Sequence, residues 1–168
     1  MKKNAGFTLI ELIVVILIMG ILVGGATVSI VRMHDSDVDS AANKLVSILT
    51  QARSQSVTKS QNSIWFELER DSDGCTAYIY QGDETNPSSA QVVDTEKICG
   101  DSVEIKVTTE DDAGNTAETS LASGNSVLFH FAKPTGKISE DYTDIKISGT
   151  KDINIIVIKE TGRCLIEK

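Results

Sequence analysis

One stretch restricts what this chain can become more than any other. From Phe7 to Val31 the sequence is apolar nearly throughout, with a single ionisable side chain, Glu11, near its beginning. As a helix rising ~1.5 Å per residue, a run of that length reaches ~37 Å, enough to cross a hydrocarbon core ~30 Å thick. A short polar leader from Met1 to Gly6, carrying Lys2 and Lys3, precedes it, and Arg32 follows it.

Glu11 is the anomaly in that run. A carboxylate inside a membrane helix costs on the order of 2.5–3.5 kcal/mol on insertion scales, so it ordinarily has a partner or a task. Lys2 and Lys3 lie beyond the expected helix start. A chain cut after Gly6 would instead expose a positive α-amino group on Phe7, one helical turn from Glu11. That pair can neutralise itself within one chain, or match in trans between two chains shifted along the helix axis. Gly20 and Gly24 stand four apart on one face, where small residues let a neighbouring helix approach closely. Each also costs the helix about 1 kcal/mol relative to Ala. They serve either assembly with local loosening or ordinary membrane-helix packing.

Gly6-Phe7-Thr8-Leu9-Ile10-Glu11 behind a short basic leader resembles the processing and methylation motif of type IV pilins and type II secretion pseudopilins. The resemblance implies cleavage between Gly6 and Phe7 by a prepilin peptidase/methyltransferase and N-methylation of Phe7. It implies that Glu11 registers one subunit on another. It also implies, as partners, other pilin or pseudopilin subunits, the membrane before assembly, and inner-membrane assembly machinery. Family members often carry a helix-breaking Pro in this segment, which this chain lacks, so no position for a melted segment is carried over. A second resemblance covers the body. Ala52-Arg53-Ser54-Gln55-Ser56-Val57, Phe129 and Phe131 followed by Gly136, and Thr161-Gly162-Arg163 are similar to the GspH/FimT-type pseudopilin domain. That implies a minor pilin or minor pseudopilin, near a fibre tip or helping to start a fibre. Lys159, Arg163 and Lys168 are interspersed with Glu160 and Glu167, so the basic C-terminal patch of DNA-binding relatives is not carried over and no nucleic-acid partner is expected.

The leader differs from a conventional secretory signal, whose apolar region is discarded. Here the expected cut lies before the apolar run. Lys2 and Lys3 hold the N-terminus in the cytoplasm by the positive-inside bias, sending the rest outward. The expected location is the bacterial cytoplasmic (inner) membrane, single-pass with the globular part outside, and then an extracellular or periplasmic fibre. Sixteen Lys and Arg against 24 Asp and Glu give −8. Losing Lys2 and Lys3 leaves 14 against 24, or −10, an acidic surface that disfavours nucleic acid and anionic membrane as static partners.

The expected fold class is α+β: a long N-terminal helix packed on an antiparallel β-sheet domain, a pilin-like arrangement. Residues 1–6 form the cleaved leader, 7–31 the transmembrane and assembly helix, 32–62 an amphipathic continuation, and 63–168 the globular β-domain. Val38, Ala41, Leu45, Ile48, Leu49 and Ala52 recur at helical steps, with Asn43, Ser47, Gln51 and Gln55 polar between them. Strands are expected at 63–69 and 75–80, joined by Asp71–Gly74, then at 103–107, 126–131, 144–148, 153–158 and 163–166. Residues 82–96 and 109–124 read as exposed loops, the second mobile.

Three cysteines allow three pairings in an oxidising compartment. Cys75 opens one expected strand and Cys99 the start of another, which favours 75–99; Cys164 reads as a buried small hydrophobe. None has metal-site spacing. Asp35, Asp37 and Asp39 lack the glycine and distal Glu of a calcium loop. No catalytic arrangement, cofactor or metal is expected; His34 and His130 read as a solvated residue and a partly exposed sheet residue. Trp65, Tyr78 and Tyr80 share one sheet surface. The first functional reading is therefore a non-enzymatic assembling subunit. The alternative is a membrane-tethered extracellular adhesin or binding module using loops 82–96 and 109–124.

Overall fold

A computed structural model describes residues 9–58, 63–82 and 90–167, with the side chains of all of these except 22–36. The chain divides between His34 and Asp35 into two compact units. One helix, α1, runs Leu9–Thr58, and its part up to His34 makes up the described portion of the first unit.

In the second unit the helix is amphipathic and its stripe sits where the sequence puts it. Val38, Ala41, Leu45, Ile48, Leu49 and Ala52 are buried, joined by Ala42, while Asn43, Ser47 and Gln51 are exposed. Burying each of the larger side chains contributes roughly 1.5–3 kcal/mol. One buried polar residue continues the stripe: Ser56 donates its hydroxyl to the Phe131 carbonyl at 2.7 Å, which satisfies both groups.

The strands form two five-stranded antiparallel sheets rather than the one expected. The first contains β1 (Ser63–Asp71), β2 (Gly74–Gly82), β3 (Gln91–Cys99), β6 (Ser126–Ala132) and β7 (Lys137–Ile138), in the order β3-β2-β1-β6-β7. The second contains β4 (Glu104–Glu110), β5 (Thr116–Ser120), β8 (Tyr142–Ser148), β9 (Asp152–Ile158) and β10 (Arg163–Ile166), in the order β10-β9-β8-β4-β5. Inward residues of both sheets share one core with the helix stripe: Phe66, Ile79 and Phe129 from the first, Ile105, Ile145 and Ile155 from the second. Phe129 packs edge-on against Phe66 at 5.5 Å and at a 43° tilt against Tyr142 of β8 at 4.6 Å, so aromatic contacts bridge the sheets.

Two expected loops are corrected. Of 82–96, residues 83–89 lie outside the described residues, but β3 begins at Gln91 and pairs with β2. Of 109–124, the first part extends β4 to Glu110 and Thr116–Ser120 forms β5, paired from Lys106↔Ser120 to Glu110↔Thr116. Both are edge strands. All of β5 and most of β3 are exposed, so neither carries the alternation that burial of one face imposes. The tight connection between β4 and β5 is built by Asp111, whose carboxylate accepts from the backbone N–H groups of Ala113 and Asn115 and from the Asn115 amide. These bonds, Asn115 first, hold the Asp111 carboxyl below the usual carboxylate range. Cys99 is also corrected: it ends β3 instead of starting a strand.

Candidate functional site

Among the described side chains from Leu9 to Ile21, every residue except Glu11 and Gly20 is a large apolar group, and all eleven are exposed, from Val15 at 44% to Leu9 at 78%. These side chains surround the helix instead of lining one stripe. A helix that is apolar on all sides belongs in lipid or among other apolar helices, and an exposed patch of this kind marks an interaction surface. Glu11 lies in the first described turn of α1. Gly20 is helical, and a Cβ added there would meet nothing within 4 Å, so no described contact within the chain requires its smallness. Gly24 lies in the same helix. Gly6 and Phe7 fall outside the described residues. Among the described residues no helix is long and apolar enough to cross a membrane. The side chains described from the apolar run end at Ile21, and that portion alone reaches roughly 20 Å at 1.5 Å per residue.

The body holds a second convergence. Arg53 projects from α1 and donates its Nε–H to the Thr161 carbonyl in the turn between β9 and β10. Its side chain lies over Gly136, which follows β6, and beside Gly162. At Gly136 (φ +72°) an added Cβ would stand 3.1 Å from Arg53 Cγ and Nε and from Val57 Cγ2. At Gly162 (φ +64°) it would fall 1.9 Å from the Gly136 carbonyl oxygen. The two sheets touch here: Ile138 N–H donates to the Lys159 carbonyl at 2.9 Å, and Lys159 pairs with Asp141. Arg53, Gly136 and Gly162, from three separate stretches of the sequence, thus meet at one joint between the helix and both sheets. Ser56 belongs to the same joint and follows from the helical step after Ala52.

Cys75 and Cys99 stand directly opposite in the β2–β3 register, as buried free thiols, and Cys164 is buried and free in β10. Arg70, which the sequence reading passed over, donates Nη1 to Cys75 Sγ at 3.3 Å and to the Val103 carbonyl at 2.8 Å, and Nη2 to the Asp101 carbonyl at 2.9 Å. Its signal was alternation: Phe66, Leu68 and Arg70 are successive inward positions of β1.

Trp65 stacks on Tyr80 at 5.7 Å and 15°, with Tyr78 and His130 alongside. Burial, then Glu67, raises the Tyr80 phenol above its ordinary range. His130 faces the Glu140 carboxylate through Nδ1, and its backbone N–H donates to Glu140 at 2.9 Å. Among the described residues no group of three or more His, Cys, Asp or Glu side chains is placed to hold a metal ion. Asp39 is instead paired with Lys151 at 2.6 Å.

Residues 1–27 match the family model described as the prokaryotic N-terminal methylation motif. No curated protein matches the chain, and no solved structure does. The motif supports a type IV pilin- or pseudopilin-like substrate of prepilin peptidase, anchored in the membrane before it assembles with other pilins.

Proposed function

We propose that this chain is a non-enzymatic structural subunit, a minor pilin or minor pseudopilin, of a type IV pilus or of a type II secretion or competence pseudopilus. On this reading cleavage follows Gly6, Phe7 becomes the methylated N-terminus, and the helix leaves lipid to pack among the helices of other subunits. The observation that carries it is the exposed, all-round apolar surface from Leu9 to Ile21, broken only by Glu11 and Gly20, directly behind the methylation motif. Gly20 supports it further. It costs the helix about 1 kcal/mol, and no described contact within the chain needs it, whereas a helix packed in trans does. The meeting of Arg53, Gly136 and Gly162 at one joint supports a GspH/FimT-like body, and with it the minor role.

The test is incorporation. Full-length Glu11→Val should reach the membrane fraction at the wild-type level while falling at least tenfold in sheared or purified fibres. In the same preparations the mature wild-type chain should have the mass of a product starting at N-methylated Phe7. Normal incorporation of the variant sinks the role of Glu11. Wild-type protein found only in membranes and never in fibres sinks the subunit reading and favours a tethered adhesin.

A further inference from the structure

We propose that Cys75 and Cys99 are a disulfide pair, closed by exchange with a protein or small-molecule disulfide when the body enters an oxidising compartment, and that Cys164 stays a thiol. The proposal concerns the body alone and stands or falls independently of whether the helix builds a fibre.

Four features of the β2–β3 end place the two sulfurs together. The first is register. Cys75 opposes Cys99, and directly opposed residues of an antiparallel pair have Cα atoms roughly 4.5–5.5 Å apart, inside the roughly 4.4–6.8 Å that a disulfide spans. The second is a bulge. Thr76 opposes Lys97, so Ile98 is an extra residue on β3, and the shift buries Ile98 and Cys99 together, the latter on the side occupied by Cys75. The third is Gly74. At φ +127° it takes a backbone conformation other residues rarely adopt, and a Cβ there would sit 2.1 Å from the Cys99 carbonyl oxygen. Only glycine lets the end of β3 lie this close to the start of β2. The fourth is Arg70. Opposite Cys75 in the β1–β2 register, it holds Cys75 Sγ with one nitrogen and the 101–103 turn with both. The chain leaving Cys99 is therefore fixed beside its partner.

The electrostatics favour the same chemistry. A hydrogen bond from Cys75, opposed by burial and assisted by the charges of Arg70 and Lys97, holds Cys99 below the ordinary thiol range. Cys99 is also the slightly more accessible of the two, at 8% against 0%. Its greater access to an incoming disulfide makes it the sulfur that attacks first. Its thiolate displaces one sulfur of the oxidant's disulfide to form a mixed disulfide. Cys75 sulfur then attacks Cys99 sulfur, forming the Cys75–Cys99 bond and releasing the oxidant's other sulfur. Two thiol protons and two electrons pass to the oxidant, which ends as two thiols. Cys164 has no such partner. It opposes Val157 in the other sheet, and burial pushes its thiol up to about 12.

The test uses the full chain extracted from membranes in detergent, with free thiols blocked by N-ethylmaleimide at lysis. Non-reducing peptide mapping should show a linked pair containing Cys75 and Cys99, two hydrogens lighter than the separate peptides, with Cys164 alkylated only after unfolding. A sample reduced and then incubated with glutathione disulfide should regain that link, and Cys164→Ser should retain it. Reduction should lower the urea midpoint by roughly 1–2 M, from the closed-loop effect of such a bridge. Three alkylatable cysteines in the unfolded, unreduced chain, both as isolated and after glutathione disulfide, overturn the proposal. A bridge that includes Cys164 overturns it as well. Because both readouts are made on wild-type protein, they hold even if Cys75→Ser or Cys99→Ser fails to fold.

Discussion

Gly162 offers a sharp test of the joint between helix and sheets, because the body contains its own control. Gly162 and Gly124 both have positive φ, +64° and +84°. A Cβ at Gly124 meets nothing within 4 Å, so Gly124→Ala should cost only the left-handed backbone penalty, about 1–2 kcal/mol. A Cβ at Gly162 would stand 1.9 Å from the Gly136 carbonyl oxygen and 3.3 Å from Arg53 Cδ. No side chain can rotate out of the first overlap, since the atom met is backbone. The β9–β10 turn and the β6–β7 connection must separate by more than an ångström. That separation releases the Arg53 bond to the Thr161 carbonyl, worth about 1.5–3 kcal/mol for a charged donor, and strains the Ile138–Lys159 backbone bond, worth about 1 kcal/mol. Added to the backbone penalty, Gly162→Ala should lose about 4 kcal/mol or more. The assay is urea unfolding of the full-length chain in detergent, followed by the fluorescence of Trp65, the sole tryptophan, 8% exposed in the first sheet. If the two alanine variants lose stability within about 0.5 kcal/mol of each other, steric closure at this joint is refuted.

Ser56→Ala should destabilise the body by about 1 kcal/mol, the net worth of its buried hydrogen bond to Phe131, read from the same urea midpoint; an unchanged midpoint would show that the hydroxyl holds nothing. Asn115→Ala should return the Asp111 carboxyl toward the ordinary carboxylate range, measured by carbon-detected NMR titration. The sign follows from a pKa depressed on folding: the contribution of these bonds is present above the unfolded carboxylate pKa and fades as pH falls through the lower folded value. A titration unmoved by the substitution would remove Asn115 as the cause.

What the sequence made legible was whatever burial had written into it. The stripe from Val38 to Ala52 could be read because one side of a helix must be apolar to pack, and the inner strands β1, β2, β8 and β9 because their core-facing residues are. Strands β3 and β5 were hidden for the opposite reason. Each lies at a sheet edge with wet residues on successive positions, so Thr116–Ser120 has the composition of a loop and is held as a strand only by its ladder to β4. Partner choice was equally hidden. Strand β6 returns to β1, and β4 pairs with β8, across long intervals of sequence, and no local pattern in either strand specifies that choice. The candidate residues divide along the same line. Glu11 stands out because a lone charge in an apolar run has a cost. Arg53, Gly136 and Gly162 were visible singly, but their meeting depends on how two turns from different sheets are brought to one helix.

The division of labour inside the proposed assembly follows from solvent. In water, the eleven exposed apolar side chains from Leu9 to Ile21 would contribute on the order of 15–30 kcal/mol on burial, enough to aggregate helices in any register. In lipid that drive disappears, because acyl chains are as apolar as leucine, and association rests on close packing and on polar pairing. A helix drawn from lipid into a fibre therefore gains little from the very residues that make it apolar. The selective energy must come from the exceptions: a glycine that permits approach, and a carboxylate whose cost falls when a subunit offers it an amine. Sliding such a helix by one turn leaves its apolar contacts almost unchanged but moves Glu11 by ~5.4 Å, out of reach of a partner set for it. On the proposed reading the register is set at Glu11 and not by the apolar surface, which is why its replacement should spare insertion and cut incorporation at least tenfold.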